Sequence, residues 1–191
     1  ISYFHTEDVV MKIAKNADLL KNVVNTAKSK NTQNGVTNTF FARELNAEEA
    51  KDMALLYKKV FASYPFPIHD PEYIKATMKD NVNYFGMFDN NNLIALSSSE
   101  LNSVNKNAEM TDFAVLPEYR GQNLSLHLLN IMERELKKAG YIALYTIARA
   151  VSYGMNSTFA KAGYHYCGTL INNTNISGSI ESMNVWCKSI N

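Results

Sequence analysis

A junction between strand-like and helix-like sequence at residues 115–140 has the residue types needed to bind an anion. The stretch VLPEYRG turns at Arg120-Gly121, and an amphipathic helical pattern follows directly. Backbone N–H groups at such a helix start attract phosphate, and the positive end of the helix dipole adds to the attraction. Asn123 tolerates a positive φ better than most residues, and the Ser125 hydroxyl can add a donor. We therefore expect a phosphate site here; a helix cap without a ligand is the alternative.

Two carboxylates lie in the strand-like run that leads into this junction. Asp112 is surrounded by mostly apolar sequence, where burying a lone carboxylate is costly unless a cation pairs with it. An ammonium group on a substrate would supply that cation, and a structural hydrogen bond is the alternative explanation. Glu109 opens the same run, where a solvated carboxylate would also be tolerated. The two acids together indicate proton-transfer or cation-binding chemistry beside the anion site.

The composition restricts the class of protein. With 191 residues, the chain is long enough for one core with an appendage rather than for two full domains. Lys and Arg number 19 against 18 Asp and Glu, so the net charge of +1 argues against nucleic-acid and membrane-surface partners. No run approaches the roughly 18 apolar residues of a membrane span, and no leader pattern is seen. These features predict a cytoplasmic protein.

The cysteines and histidines give little sign of a metal or of a disulfide. Cys167 and Cys187 lack C-x-x-C spacing, and we interpret them as two small buried thiols in a reducing compartment. The histidines show no metal-ligand spacing, so no metal is predicted; they are His5, His69, His127 and His165.

Hydrophobic periodicity divides the chain into a helical segment and a mixed domain. Apolar residues at helical spacing predict one or two helices over residues 6–29, and the polar run KSKNTQNG then ends the pattern. The rest predicts a strand, two helices, three antiparallel strands, a helix, a strand covered on both faces, a helix and a hairpin. The fold class expected is therefore α/β of the α+β kind, with a mixed, mostly antiparallel central sheet flanked by helices.

This order of elements, together with the junction VLPEYRGQNLS, resembles the GNAT N-acetyltransferase superfamily over about residues 38–190. Arg120 matches the superfamily signature R/Q-x-x-G-x-G/A, whereas Asn123 and Ser125 occupy its glycine-type positions. The resemblance implies that acetyl coenzyme A is the co-substrate and that backbone groups hold its pyrophosphate and pantetheine arm. The residues implied in this binding are Phe113, Ala114, Val115, Arg120, Gly121, Gln122, Asn123, Leu124, Ser125, Ser152, Asn156 and Phe159. For Ser152 and Asn156, helix capping or packing is the alternative.

Three longer phrases resemble the β-lysine N-acetyltransferases, which acetylate the side-chain amine of β-lysine to make a compatible solute. They are MTDFAVLPEYRG, YTIARAVSYGMNSTFAKAGY and GTLINNTNISGSIESMNVWCK. The resemblance implies direct transfer in a ternary complex with a small-molecule amine, and a homodimer is the candidate assembly. Because that family has a further N-terminal region, residues 1–35 would be the end of that region and residues 36–191 the acetyltransferase domain.

The resemblance also suggests catalytic roles. Glu109 lies where histone-acetylating members of the superfamily have their glutamate base, and Asp112 is the second candidate, for holding or deprotonating the amine. Phe159 replaces the tyrosine that protonates the leaving thiolate in many members, so water, Tyr145 or Tyr153 would have to serve.

Recognition of β-lysine needs an anion-binding group and an apolar wall. Arg149 can meet the substrate carboxylate or pair with Glu181, and Tyr64 and Phe66 can line the aliphatic chain or tuck into the core. The substrate-binding residues expected are Tyr64, Phe66, Arg149, Asn172, Asn173 and Glu181.

Two other functions fit the same residues. The fold fixes the donor better than the acceptor, so the amine can instead be a polyamine, lysine or a protein amine. The departures at Asn123, Ser125 and Phe159 also fit a non-catalytic sensor of coenzyme A. Turnover separates the sensor from the enzymes.

Overall fold

The computed structural model describes residues 6–30, 40–176 and 179–191, with side chains described from residue 17 onward. Its helices and strands are α1 (Thr6–Lys28), β1 (Phe41–Glu44), α2 (Ala50–Val60), α3 (Pro71–Asp80), β2 (Val82–Asp89), β3 (Asn92–Asn102), β4 (Asn107–Val115), α4 (Leu124–Lys138), β5 (Ala143–Arg149), α5 (Tyr153–Lys161), β6 (His165–Ile176) and β7 (Ser179–Ser189). This order confirms the predicted succession of elements. The predicted turn of the last hairpin, at residues 177–178, lies outside the described residues.

The strands form one seven-stranded sheet in the order β1-β2-β3-β4-β5-β7-β6. The β4 and β5 pair is parallel, and the other neighbouring strands within the described residues pair antiparallel. The predicted mixed, mostly antiparallel sheet is therefore confirmed. The parallel pair marks the position where the chain crosses over through α4.

Helices cover both faces of this sheet. On one face, α4 and α5 pack against sheet side chains such as Met110 and Trp186, which are almost fully buried. On the other face, α2 and α3 pack through Met53 and Ile74. No helix within the described residues is long and apolar enough to cross a membrane.

Caps at two helix starts fix the approach of α2 and α3. The Asn46 side chain accepts a hydrogen bond from the N–H of Glu48 at 2.8 Å, and the Glu49 carboxylate accepts one from the Asn46 N–H at 3.0 Å. Asp70 caps α3 by accepting from the Glu72 N–H at 2.9 Å, and Pro71 follows it. The chain is thereby anchored where it enters α2 and where the loop between the two helices enters α3.

The N-terminal helix packs on the domain. Val23 and Ala27 of α1 are completely buried, and Ala27 belongs to the core beneath α4 and α5. The Lys28 ammonium lies 4.7 Å from the centre of the Tyr166 ring. The predicted boundary at residue 35 lies outside the described residues, so the division into residues 1–35 and 36–191 stays a prediction.

The expectation of two separate buried thiols was wrong. Cys167 and Cys187 form a disulfide that joins β6 to β7. Cys167 is exposed and lies at an irregularity in the β6 register, between the residues paired with Trp186 and Val185. The pairing depends on which residues of two strands face each other, and cysteine spacing along the chain does not give that information.

Candidate active site

A wedge opens where β4 and β5 separate. Residues 107–109 of β4 pair in parallel with residues 143–145 of β5, and beyond them the two strands diverge. From there β4 stays with β3 as far as Val115, and β5 stays with β7 as far as Arg149. Glu109 and Tyr145, which face each other in the last parallel pair, therefore lie at the apex of the wedge. The helices α4 and α5 begin at its open end.

The wedge corrects the prediction that β5 is covered on both faces. Leu144, Thr146 and Ala148 are buried, but the alternate residues Tyr145 and Ile147 are only half-buried. The half-buried face is the one shared with Glu109, because Tyr145 lies opposite Glu109 in the sheet.

A β-bulge distorts β4 directly beyond the apex. Asp112 and Phe113 both lie opposite Ser97, and the φ angle of Asp112 is +54°, in the left-handed region. The bulge puts Thr111 and Asp112 on the same face of the sheet, while Phe113 points to the opposite face. Phe113 packs edge-on against Phe159 at 5.6 Å between ring centres, while the Asp112 carboxylate faces the α2 side of the sheet.

Asp112 is held by hydroxyl groups rather than by a cation. The Ser98 hydroxyl donates to its carboxylate at 2.6 Å, and the Tyr64 hydroxyl donates to the other oxygen, which also receives a weaker bond from Thr111 at 3.4 Å. Burial raises the pKa of Asp112, and these hydrogen bonds act against that rise. Tyr64, predicted to line the substrate chain, thus ties the proline-rich loop before α3 to the bulge.

Glu109 has the properties of a base that titrates near neutral pH. Burial, reinforced by the negative charges of Glu100 and Asp112, raises its pKa to about 7, and a hydrogen bond with Tyr145 opposes the rise. Glu100 lies directly opposite Glu109 in the β3–β4 register. Among the described residues, no lysine or arginine forms an ion pair with any of these three acids.

The junction before α4 has the geometry of an anion cradle. Gly121 and Asn123 have φ angles of +80° and +57°, so asparagine takes the left-handed conformation for which a glycine is common. The Asn123 side chain does not cap the helix, and the first turn of α4 contains no acid. The first N–H groups of α4 thus keep their capacity to bind an anion. Arg120 lies exposed beside them.

The other residues predicted at this cradle differ in what their side chains can reach. Gln122 is exposed and Ser125 is half-buried, so both remain accessible from the junction. Leu124, Ala114 and Phe159 are buried in the core, which leaves the backbone as the part of residues 114 and 124 that can serve a ligand.

Asn156 and Ser152 have structural contacts in α5. The Asn156 amide donates to the carbonyls of Arg149 and Ser152, at 3.0 and 2.7 Å, and its oxygen accepts from Asn184 and Trp186. Asn156 is completely buried, so the packing alternative describes it better than contact with a ligand. Ser152 caps α5 by accepting from the Met155 N–H at 3.4 Å.

The remaining predicted substrate residues lie away from the apex. Arg149 donates to Glu181 through Nε at 2.7 Å and through Nη2 at 2.6 Å. The guanidinium is therefore paired within the protein and is not free to bind a substrate carboxylate. Asn172 and Asn173 are exposed on the edge strand β6, with β5 and β7 between them and β4. Phe66 is 56% exposed.

Sequence analysis missed two members of the acidic site, Glu100 and Ser98. Both lie on β3, and only the register with β4 places them beside Glu109 and Asp112. The run SSSE within an apolar strand was the available signal, because a completely buried Ser98 needs a polar partner.

Known proteins are similar to this chain in sequence and in fold. A profile of the acetyltransferase (GNAT) family matches residues 50–164. Beta-lysine N(6)-acetyltransferase of Methanococcus maripaludis is 47% identical over 186 residues, which cover 97% of this chain and 68% of that protein. N-acetyltransferase YodP of Bacillus subtilis is 38% identical over 189 residues, which cover 99% and 64%. The solved ribosomal-protein-S18-alanine N-acetyltransferase of Escherichia coli superposes with a TM-score of 0.69 at 16% identity, covering 80% of this chain and 94% of that one.

The wedge, the bulge and the cradle lie on a fold shared with solved N-acetyltransferases. The chain belongs to the GNAT acetyltransferase family, and it is an acetyltransferase that depends on acetyl coenzyme A. It spans about two thirds of the length of the two curated relatives.

Proposed function

We propose that the protein transfers an acetyl group from acetyl coenzyme A to the side-chain amine of β-lysine, directly within a ternary complex. The observation that carries the proposal is the group of carboxylates at the apex of the wedge, which lacks a cation within the described residues. An ammonium substrate would supply the missing positive charge. The relative at 47% identity, whose name specifies β-lysine, supports this acceptor.

The cradle before α4 would hold the pyrophosphate of acetyl coenzyme A. Its uncapped helix start, the left-handed Gly121 and Asn123 and the exposed Arg120 fit a group with two negative charges. Backbone groups of residues 113–115, along the free edge of β4, would orient the acetyl carbonyl and the pantetheine arm. Acetyl coenzyme A supplies a thioester, whose carbonyl carbon accepts the amine nitrogen.

Glu109 would act as the general base. An alkylammonium with a pKa near 10.4 must lose a proton that costs about 4 kcal/mol at neutral pH before its nitrogen can attack. With a pKa of about 7, Glu109 is substantially ionised at neutral pH and still basic enough to accept that proton. Its position at the apex supports this role, because the free edge of β4 that would receive the thioester begins there.

Tyr145 would return a proton to the leaving group. It faces Glu109 across the parallel pair, and burial and the negative charge of Glu109 raise its pKa. Glu109 takes one proton from the substrate ammonium, the C–N bond forms as the C–S bond breaks, and Tyr145 donates a proton to the thiolate. Glu109 then reprotonates Tyr145 through their hydrogen bond, and the acetylated nitrogen releases its second proton to solvent, so protons and charges balance. This route needs no tyrosine where Phe159 lies.

Asp112 would orient the incoming ammonium rather than accept its proton. Ser98 and Tyr64 already donate to its carboxylate, which fixes its position without neutralising its charge. The left-handed φ of Asp112 is a strained conformation that the bulge maintains at the wedge. The expected phenotype of Asp112→Asn is therefore a raised KM for the amine with a smaller effect on kcat.

Release of free coenzyme A tests the proposal directly. Native protein is assayed with acetyl coenzyme A and with β-lysine, α-lysine, spermidine or a lysine peptide, alongside Glu109→Gln and the exposed control Glu48→Gln. We expect turnover with β-lysine, loss in Glu109→Gln and native activity in the control. Turnover confined to another amine would show that this amine, and not β-lysine, is the acceptor. Binding of acetyl coenzyme A without turnover of any amine would overturn the proposal and favour a sensor.

The biological setting follows from the same resemblance. We propose a cytoplasmic enzyme that makes a compatible solute, with residues 1–35 as the end of a further N-terminal region. This chain covers 68% and 64% of the lengths of the two curated relatives, so each relative has sequence beyond the matched part.

A further inference from the structure

Polar side chains form a continuous row across the α2 face of the sheet at the wedge. Glu100 of β3 lies opposite Glu109 of β4, and Glu109 lies opposite Tyr145 of β5. Directly opposite residues in an antiparallel pair have Cβ atoms about 4.5–5.5 Å apart, so Glu100 and Glu109 are in contact range. Glu100 is exposed, whereas Glu109 is half-buried. Glu100 is therefore the more accessible of the two carboxylates to a ligand from solvent.

The two glutamates are an unfavourable pair in the absence of a ligand. Like charges directly opposite each other destabilise a sheet. The pKa of Glu100 is raised by burial and by the charge of Asp112, and that of Glu109 by burial and by the charge of Glu100. Within the described part of the chain, the ion pairs do not include either glutamate. A single ammonium group bound at Glu109 would neutralise only one of the two negative charges and would leave that of Glu100 without a partner.

A buried hydroxyl gives an independent sign of a polar ligand at this site. The Tyr57 side chain is completely buried, and its hydroxyl lies near that of Ser98 without a well-formed hydrogen bond. The charge of Asp112 is among the causes that raise the pKa of Tyr57, so the hydroxyl lies near the acidic site. A buried hydroxyl without a well-formed hydrogen bond is unfavourable. A polar group brought by a substrate would remove that cost.

One aromatic ring near the exposed glutamate is accessible. The charge of Glu100 contributes to the raised pKa of Tyr73, which is half-buried, whereas Tyr84, opposite Ser98, is almost fully buried. A ring such as that of Tyr73 can pack on an aliphatic chain and attract a cation through its face. The surroundings of Glu100 thus suit an ammonium carried on a short alkyl chain.

We propose that Glu100 binds the second ammonium group of a diamine acceptor and so selects diamines over monoamines. The inference rests on the proposed function and adds the reason for the choice of substrate. The two nitrogens of extended β-lysine are roughly 6 Å apart, comparable with the separation of side chains on adjacent strands. The reacting amine then lies at Glu109 while the second ammonium pairs with Glu100.

The test compares β-lysine with 6-aminohexanoate, which has the same chain, carboxylate and reacting amine but lacks the second ammonium. Initial rates with saturating acetyl coenzyme A are measured for native protein, Glu100→Gln and Glu44→Gln. Glu44 is a matched control, because it is a glutamate of the same sheet with a burial-raised pKa but lies opposite Phe85 rather than Glu109. Circular dichroism checks that each variant is folded.

We expect Glu100→Gln to lower kcat/KM for β-lysine about tenfold or more and to leave 6-aminohexanoate within about twofold of native. The ratio of kcat/KM for β-lysine to kcat/KM for 6-aminohexanoate is then lost in Glu100→Gln, whereas Glu44→Gln leaves this ratio unchanged. An equal loss with both substrates would overturn the inference, since it would show that Glu100 acts through Glu109. No loss with either substrate would overturn it as well.

Failure of the proposed function gives a different result. If native protein acetylates spermidine but not β-lysine, the acceptor is wrong, and spermidine compared with butylamine tests Glu100 in the same way. If no amine is acetylated, calorimetric binding of β-lysine and 6-aminohexanoate in the presence of coenzyme A replaces the rates. Equal affinity of the two ligands for native protein would then refute the role of Glu100.

Discussion

Carboxylates beside β7 have cationic partners within the protein, whereas those on β3 and β4 have none among the described residues. Glu133 accepts from the Lys188 ammonium at 2.6 Å, and the same ammonium donates to the Ala162 carbonyl at 2.7 Å. Glu181 of β7 likewise accepts two hydrogen bonds from the Arg149 guanidinium. The two ion pairs in this part of the sheet form without a ligand, although burial still raises the pKa of Glu133.

The strands on the other side of the wedge show the opposite arrangement. Glu109 and Asp112 keep raised pKa values because burial and neighbouring acids oppose their ionisation, and Glu100 adds a third negative charge. Such an arrangement costs folding free energy. We infer that acids which serve stability are paired internally, while the acids left unpaired at the wedge serve the cationic substrate of the proposed function.

The largest expected effect comes from removing the base. Glu109→Gln should lower kcat about 10²- to 10⁴-fold, the usual contribution of a positioned proton acceptor. Single-turnover rates with saturating acetyl coenzyme A and β-lysine measure the change. A loss smaller than about tenfold would mean that solvent, or another group, deprotonates the amine.

Breaking an internal pair should affect stability instead of catalysis. The Lys188 and Glu133 side chains are 25% and 13% exposed, so Lys188→Met leaves a mostly buried carboxylate uncompensated. We expect a loss of about 2–3 kcal/mol in the free energy of unfolding, measured in urea. The double variant Lys188→Met/Glu133→Gln should recover part of it. A full loss of kcat in the folded single variant would contradict the division between the two regions.

Removing an unpaired acid should stabilise the protein, but only at a pH at which that acid is ionised in the native protein. The folded pKa of Glu109 is about 7 against 4.5 for the free group, so the folded state holds its proton more tightly. Stability therefore falls as pH rises from 4.5 to 7, and the full penalty is present above 7. Glu109→Gln should raise the free energy of unfolding by about 1–2 kcal/mol at pH 8, after solvent screening is considered. The gain should vanish near pH 4.5; a destabilised variant at pH 8 would refute this.

Sequence patterns predicted those parts of the molecule that depend on local chemistry. The amphipathic period of α4 and the left-handed tolerance of Asn123 are properties of short stretches, and the structure confirms them. Tertiary packing agrees with these local signals, because the apolar side of each helix, as its sequence period predicts, packs against the sheet.

Features that depend on strand register escaped sequence analysis. Glu100 was missed and Cys167 was misinterpreted because each acquires its partner from another strand. A shift of one residue turns every side chain to the other face, and the sequence of one strand does not fix the register. The contact of Tyr64 with Asp112 depends, in addition, on how an irregular loop folds back over the sheet.

The pH dependence of kcat/KM for β-lysine, measured with native protein and with Glu109→Gln, tests the central claim most directly. The account predicts that native activity falls below an inflection near pH 7, the pKa of Glu109, and levels off above it while the substrate remains an ammonium. In Glu109→Gln the inflection should disappear, and the rate should keep rising with pH as free amine accumulates. A native profile without this inflection, or a variant that keeps it, would contradict the assignment of Glu109 as the base.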